Sequence, residues 1–172
     1  MLQLQKKAQQ LIKHIAIILA FLLMLSAPVA AQDYDKGLAA AQAGDYATAL
    51  QEWTPLAEQG NVAAQFNLAI MYVSGQGVIQ DYKEAVKWYK LAAEQGYAKA
   101  QSNLGLMYVL GQGVIQDYAM AHLWLNIGAT NGDELGGTNR DIIAEEMTSE
   151  DISKAQAMAR KCMESNYKEC GY

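Results

Sequence analysis

The chain has 172 residues, among them two Cys and two His, and a formal net charge of −5. That acidic balance argues against nucleic acid or anionic lipid as a partner, because both need a basic face. So few soft ligands and bases leave little from which to assemble a metal centre or a nucleophile–base pair, and no cofactor or metal is expected.

The N-terminus reads as a secretory signal. Lys6, Lys7 and Lys13 form a basic region before the eleven-residue apolar run Ile15–Leu25. Small residues follow in Ser26–Ala31 (SAPVAA), with Val29 and Ala31 suited to the −3 and −1 positions of a cut ahead of Gln32. The apolar run falls short of the roughly 20 residues a spanning helix needs, which weighs against a retained anchor. No Cys follows the run to carry lipid, and nothing later is apolar enough to span a bilayer. Residues 1–31 are therefore expected to direct the chain to the periplasm or outside the cell, with no stable membrane span after cleavage. Without the three lysines of that segment, ten cations face eighteen acids, a net of −8.

Residues 32–60 read as a degenerate copy of a unit that follows twice in full. Asp45, Tyr46, Ala49, Ala57 and Gly60 stand one period before Asp81, Tyr82, Ala85, Ala93 and Gly96. The joint between its two helices is short, Ala43-Gly44-Asp45, and Pro55 is expected to kink or weaken the second helix.

Residues 61–96 and 97–132 are the same 36-residue unit, identical at 19 of 36 positions without a gap, and GQGVIQDY at Gly75–Tyr82 recurs at Gly111–Tyr118. A fixed period of this size means stacked supersecondary units. Ala64, Leu68, Met71 and Tyr72 step at helical spacing behind a candidate N-cap, Asn61, and Gly75 and Gly77 end that helix. Asp81 caps a second helix with Tyr82, Ala85, Trp88 and Ala92 inward and Lys83, Glu84, Lys87 and Lys90 outward. The second unit repeats the frame through Ala100, Leu104, Met107, Tyr108, Asp117, Tyr118, Ala121 and Trp124. GQGV lacks the Lys and Ser/Thr of a phosphate loop, so its glycines are assigned to helix ends.

On the last of these helices Lys83, Glu84, Lys87 and Lys90 are replaced by Ala119, Met120, Leu123 and Asn126, so a solvated face has become apolar and needs a cover. Residues 133–172 are expected to supply it as C-terminal capping helices. Gly136-Gly137 is expected to break this tail, with a helix over Asn139–Met147 that turns Ile142 and Ile143 inward. Thr148 and Asp151 then form a capping box for a helix of about Ser149–Ser165, with Ile152, Ala155, Ala159 and Cys162 as its apolar stripe. In an exported chain Cys162 and Cys170 are most simply a disulfide.

The doubled pattern A-x(3)-L-[AG]-x(2)-Y-x(2)-G-x-G-V-x(2)-D-x(3)-A-x(2)-W-x(4)-A-x(2)-G resembles the Sel-one-like repeat family, fully over 61–132 and loosely over 33–60. The resemblance implies an all-α, right-handed α/α superhelix of about three helix pairs, a tetratricopeptide-like solenoid, plus the capping helices. It also implies a scaffold or adaptor that binds a protein or peptide of the cell envelope as a monomer. A cysteine-rich branch of that family is associated with β-lactam binding and hydrolysis, which leaves a β-lactam- or peptidoglycan-directed protein as the alternative. This chain departs from that branch in having no Cys in either full repeat.

By analogy with tetratricopeptide solenoids, the first helix of each unit lines a concave face. Its outward positions would be Tyr34, Leu38 and Ala41, then Ala63, Phe66, Ile70 and Val73, then Lys99, Ser102, Leu106 and Val109. Such a face suits an apolar peptide or an amphipathic helix. A strongly curved solenoid that tucks these side chains into its own core, or a groove filled by the tail, also fits the pattern. For catalysis the candidates are poor: His122, the one His beyond the signal, falls on the helix that faces the cap, and no catalytic residue is assigned.

The signal reading has a direct test. Protein recovered from the envelope should begin at Gln32 by N-terminal sequencing and intact mass. Recovery of a chain that retains residues 1–31 would show the segment to be an anchor.

Overall fold

The computed structural model describes residues 33–171, so the candidate signal and Tyr172 lie outside the described residues. Among the described residues the chain forms eight helices and no strand. They are α1 (Tyr34–Gln42), α2 (Tyr46–Glu58), α3 (Val62–Ser74), α4 (Tyr82–Ala93), α5 (Ala98–Leu110), α6 (Tyr118–Thr130), α7 (Glu134–Ala144) and α8 (Ser149–Glu164). Each packs on the next through α7, and α6 also takes α8 against its other side.

The helix ends follow local chemistry. Asp33, Asp45, Asn61, Asp81, Asp117 and Thr148 each place a side-chain oxygen on free N–H groups of the helix they open, and such caps are typically worth about 1 kcal/mol. Thr148 and Asp151 make the expected capping box, with the Asp151 N–H donating to Thr148 Oγ1 at 3.1 Å and Thr148 Oγ1 donating to Asp151 Oδ2 at 2.7 Å. Gly75 and Gly111 close α3 and α5 in the left-handed region, at φ 72° and 63°.

The GQGVIQDY loops are packing devices. Each turns through its second glycine at φ near +74° (Gly77) and +73° (Gly113). There the loop lies directly on the preceding unit: a Cβ on Gly77 would strike Tyr46, and one on Gly113 would strike the Tyr82 backbone. Gln80 and Gln116 then tie each loop back by donating to the Val73 and Val109 carbonyls at 2.7 and 2.8 Å.

Pro55 does not interrupt its helix, because α2 runs through it to Glu58. The carbonyl that Pro55 leaves without a helical donor belongs to Gln51, on the exposed side of α2 where water can serve it. The tail also differs from expectation. Gly136-Gly137 lies inside α7 rather than breaking it, and α7 starts 36 positions after α5, as α5 does after α3. Gly136 therefore occupies the register of Ala64 and Ala100, both fully buried. A Cβ there would fall on Ser102 Oγ and within 3.1 Å of the Ala129 N–H and the Leu125 carbonyl. The glycine is what allows α7 to approach α5 and α6. Of the two isoleucines expected inward, Ile143 is 6% exposed and Ile142 is 59% exposed.

The apolar face of α6 is covered as its sequence requires. Met120 and Leu123 are buried, and Ala155, Ala159 and Cys162 of α8 have no exposure. Cys162 and Cys170 are joined in a disulfide spanning eight positions. The short loop it closes carries Tyr167 at φ 64°, with its ring against Gly96 and its hydroxyl accepting from Asn131 Nδ2 at 2.9 Å. A ring of this size stabilises by about 2.5 kcal/mol on the chain-entropy model. Replacing both cysteines with serine should lower the unfolding free energy measured by urea titration by about that amount, and with it the urea midpoint, without changing helical content. An unchanged midpoint would show that Tyr167 and the α8 stripe hold the tail unaided.

Candidate functional site

Because α3, α5 and α7 start 36 positions apart, residues at that interval share a face of the stack. On the side of these first helices lies a cavity of about 270 Å³. Phe66 of α3 lines it together with Lys99, Ser102, Asn103 and Leu106 of α5, and with Asp133, Leu135 and Asn139 at the start of α7. A second cavity of about 330 Å³ shares Lys99 and Asp133 and is completed by Gly96, Tyr97, Ala98, Asn131 and Gly132.

Four residues expected on the concave face meet here: Phe66, Lys99, Ser102 and Leu106. Phe66 is half-buried, with Tyr89 and Tyr97 rings at 5.9 and 5.1 Å, so it is wall as much as contact surface. Ser102 reaches the cavity but is only 2% exposed. Its Oγ has no hydrogen-bond partner and sits where Gly128 and Gly136 leave room, so it serves helix approach more than recognition. Leu106 and Val109 are half-buried against a cluster of Ala121, Leu125, Ile143 and Met147. The tail thus borders this groove and extends it rather than filling it.

The first unit contributes less. Tyr34 is half-buried, stacked on Trp53 at 6.0 Å, and its hydroxyl accepts from Asn67 Nδ2 at 3.0 Å. Leu38 and Ile70 are 36% and 38% exposed, while Val73 packs against the main core. Glu52, buried beneath α1, accepts from Lys36 Nζ and from the Asp33 N–H. The Lys36 ammonium holds the Glu52 carboxyl below its ordinary value.

Asn103, Asn139, Asp133 and Leu135 are the lining residues that sequence reasoning missed. A signal existed: Asn67 and Asn103 are identical at one period, and Asn139 stands one period further. Asn103 Nδ2 donates to Tyr89 Oη at 3.4 Å. Burial pushes the Tyr89 phenol up to about 12, against the pull of that hydrogen bond, so it stays neutral. Lys99 makes no ion pair with any described residue. Apolar walls, carboxamides and one exposed cation equip the groove to hold a chain.

A family model for the Sel1 repeat matches residues 62–97 and again 98–133. Among solved structures, the chain is similar to a protective antigen of uropathogenic Escherichia coli that displays an SLR fold. The identity is 32% and the TM-score 0.73, over 78% of this chain and 30% of that one. It is also similar to a Sel1 repeat protein from Oxalobacter formigenes, at 32% identity and a TM-score of 0.59, over 71% of this chain and 54% of that one. The chain thus spans about a third of the first relative and about half of the second. Comparison with curated proteins gives no match.

His122 is set apart from the groove. It is 2% exposed in α6, and its Nδ1 has no hydrogen-bond partner. Burial pushes the imidazole below its ordinary 6.5; the neighbouring Arg140 acts the same way and Asp141 opposes. The folded state therefore holds a neutral ring, and the unfolded chain takes the proton first as pH falls. Stability should be level above pH 6.5 and should decline as pH drops below it, before the carboxylates titrate. In His122→Leu this part of the decline in melting temperature should disappear. An unchanged profile would place the acid sensitivity elsewhere.

Proposed function

We propose that this protein, which carries two Sel1 repeats in an all-helical SLR fold, is an exported scaffold that holds a protein or peptide of the cell envelope in the groove of α3, α5 and α7. Sel1 repeats are generally protein-interaction modules, and the observation that carries the assignment is the groove itself. Phe66, Leu106 and Leu135 offer apolar surface beside the Asn103 and Asn139 carboxamides and Lys99. Leu135 is 70% exposed, so it adds open apolar surface beside Phe66 and Leu106 at the mouth of the cavity. The concave-face residues Tyr34, Leu38, Ile70, Val73 and Val109 belong to the same proposal as the flanks of that groove. Export is supported by the N-terminal sequence pattern and by the Cys162–Cys170 disulfide, which suits an oxidising compartment.

A hydrolase acting on β-lactams or peptidoglycan is not favoured. His122 is buried away from the groove-lining set, and the lining set holds no general base beside Ser102 beyond a carboxylate at Asp133.

Site-specific photocrosslinking tests the assignment. A photoreactive residue at Asn103 should yield a discrete adduct in the native envelope, and the same residue at Lys87, on the second helix of the preceding unit, should not. Leu135→Lys should reduce the adduct several-fold while leaving the melting temperature unchanged. Equal adducts from both positions, or one that survives Leu135→Lys, would move the binding surface off the groove.

A further inference from the structure

A polar tie joins each unit to the next, and at the last junction it is shorter by one methylene. Gln95 Nε2 donates to the buried Gln65 Oε1 at 2.8 Å. One period later Asn131 Nδ2 donates to the buried Gln101 Oε1, also at 2.8 Å. Gln59 holds the same position one period before Gln95. All three residues precede a glycine, Gly60, Gly96 or Gly132, that turns the chain at positive φ. Asn131 alone among the chain's asparagines has glycine after it; the others precede Val, Leu, Ile, Arg or Tyr. We propose that Asn131–Gly132 is a self-modification site, where the Gly132 backbone nitrogen attacks the Asn131 side-chain carbonyl carbon, and that the Cys162–Cys170 loop restrains the reaction through Tyr167.

The step needs only water. Hydroxide takes the Gly132 amide proton, and the nitrogen forms a bond to Asn131 Cγ. The Cγ–Nδ2 bond breaks, and that nitrogen leaves as ammonia with a proton returned from water. Water then opens the five-membered succinimide at either carbonyl carbon. One opening gives aspartate, and the other gives isoaspartate, whose main chain runs through the side-chain carbon. The net exchange is one water for one ammonia, with nothing oxidised or reduced. Glutamine would have to close a larger ring, so the two earlier junctions lack this chemistry. Asn131 and Gly132 are both exposed, and a Cβ built on Gly132 would meet nothing, so no side chain crowds the attack.

The folded chain holds each reacting group. Besides Gln101, Asn131 Nδ2 donates to Tyr167 Oη at 2.9 Å, and the Gly132 N–H donates to the Ala129 carbonyl at 3.1 Å. Loss of ammonia and of the amide proton forfeits all three bonds, so the reaction runs through local opening. Tyr167 is the restraint that the tail supplies. It sits at φ 64° in the disulfide-closed loop, and its own N–H donates to the Cys162 carbonyl at 2.8 Å. Aspartate at 131 would set a carboxylate against Gln101 Oε1, acceptor facing acceptor. Isoaspartate would also lengthen the main chain just before α7, which cannot shift towards α5 because Gly136 already lies against Ser102. Conversion therefore loosens α7.

The full chain, held at mildly alkaline pH and followed by peptide mapping with enzymatic isoaspartate detection, tests this. Asn131 should convert ahead of every other asparagine, and several-fold faster in urea than when folded. Under folding conditions Tyr167→Phe should speed conversion several-fold, as should replacing both cysteines with serine. Asn131→Gln, which carries the residue used one unit earlier, should fold and leave this position unconverted. The converted chain, separated by ion exchange, should melt at a lower temperature than its parent. No conversion at Asn131 even in urea would remove the site. Equal rates folded and unfolded, or variants at Tyr167 and the cysteines no faster than the parent, would remove the restraint. An unchanged melting temperature would overturn the loosening of α7. The photocrosslink from Asn103 is read separately, so the groove stands or falls by its own test.

Discussion

Ala64, Ala100 and Gly136 occupy the same turn of three successive first helices, and at each the side chain is a methyl group or nothing. Close approach at this turn is the constraint on which the stack depends. It brings backbones near enough for the large neighbours, Leu68 and Leu104 within the stack and Trp88 and Trp124 between its layers, to be almost wholly buried. Interiors packed at crystal-like density tolerate little change of volume, so a larger residue at this turn would displace a helix rather than a side chain. Gly105, whose Cβ would strike Leu125, enforces the same closeness between α5 and α6.

The glycine-rich loops answer to that constraint too. Each is seated on the start of the preceding unit's second helix, so the loop sequence transmits register from one unit to the next. This accounts for Gly, Gln and Asp in GQGVIQDY being the same in both copies. It does not account for Ile79 and Ile115, which are 91% and 90% exposed at equivalent points of the two loops. Nothing in the packing explains them.

The surface proposed for binding lies where the register is kept but the side chains differ between units. On the face of α3, α5 and α7 the stack uses some side chains and not others: Leu106 and Val109 pack against α6 and α7, while Lys99, Leu135 and Ile142 stand exposed. Polar groups beside apolar walls let a groove hold a backbone and sort its side chains together. The tail takes part in this surface. Asp133, Leu135 and Asn139 come from the segment expected only to cap, and α7 takes the place of a first helix in a fourth unit.

The sequence alone determined the all-helical stack, the 36-residue period, the caps at Asn61, Asp81 and Asp117, and the covering of α6. These follow from local pattern: a carboxylate or carboxamide ahead of an apolar run, glycine after it, and one period repeated. It also placed Phe66, Lys99, Ser102 and Leu106 on one face, through helical spacing within each first helix and the analogy with tetratricopeptide solenoids between them, and the four line one cavity. Only the tertiary structure decided the rest. The glycines at 136 and 137 read as a break when propensity is weighed by itself, whereas Gly136 is an opening for close packing once Ser102 and the Leu125 carbonyl stand against it. Ile142 and Ile143 are both apolar, and only the direction from which α6 approaches α7 selects Ile143 for burial. Ser102 reads as a surface residue until Gly128 and Gly136 close over it. The packing of one helix on another, which no local pattern encodes, made the tail one wall of the groove.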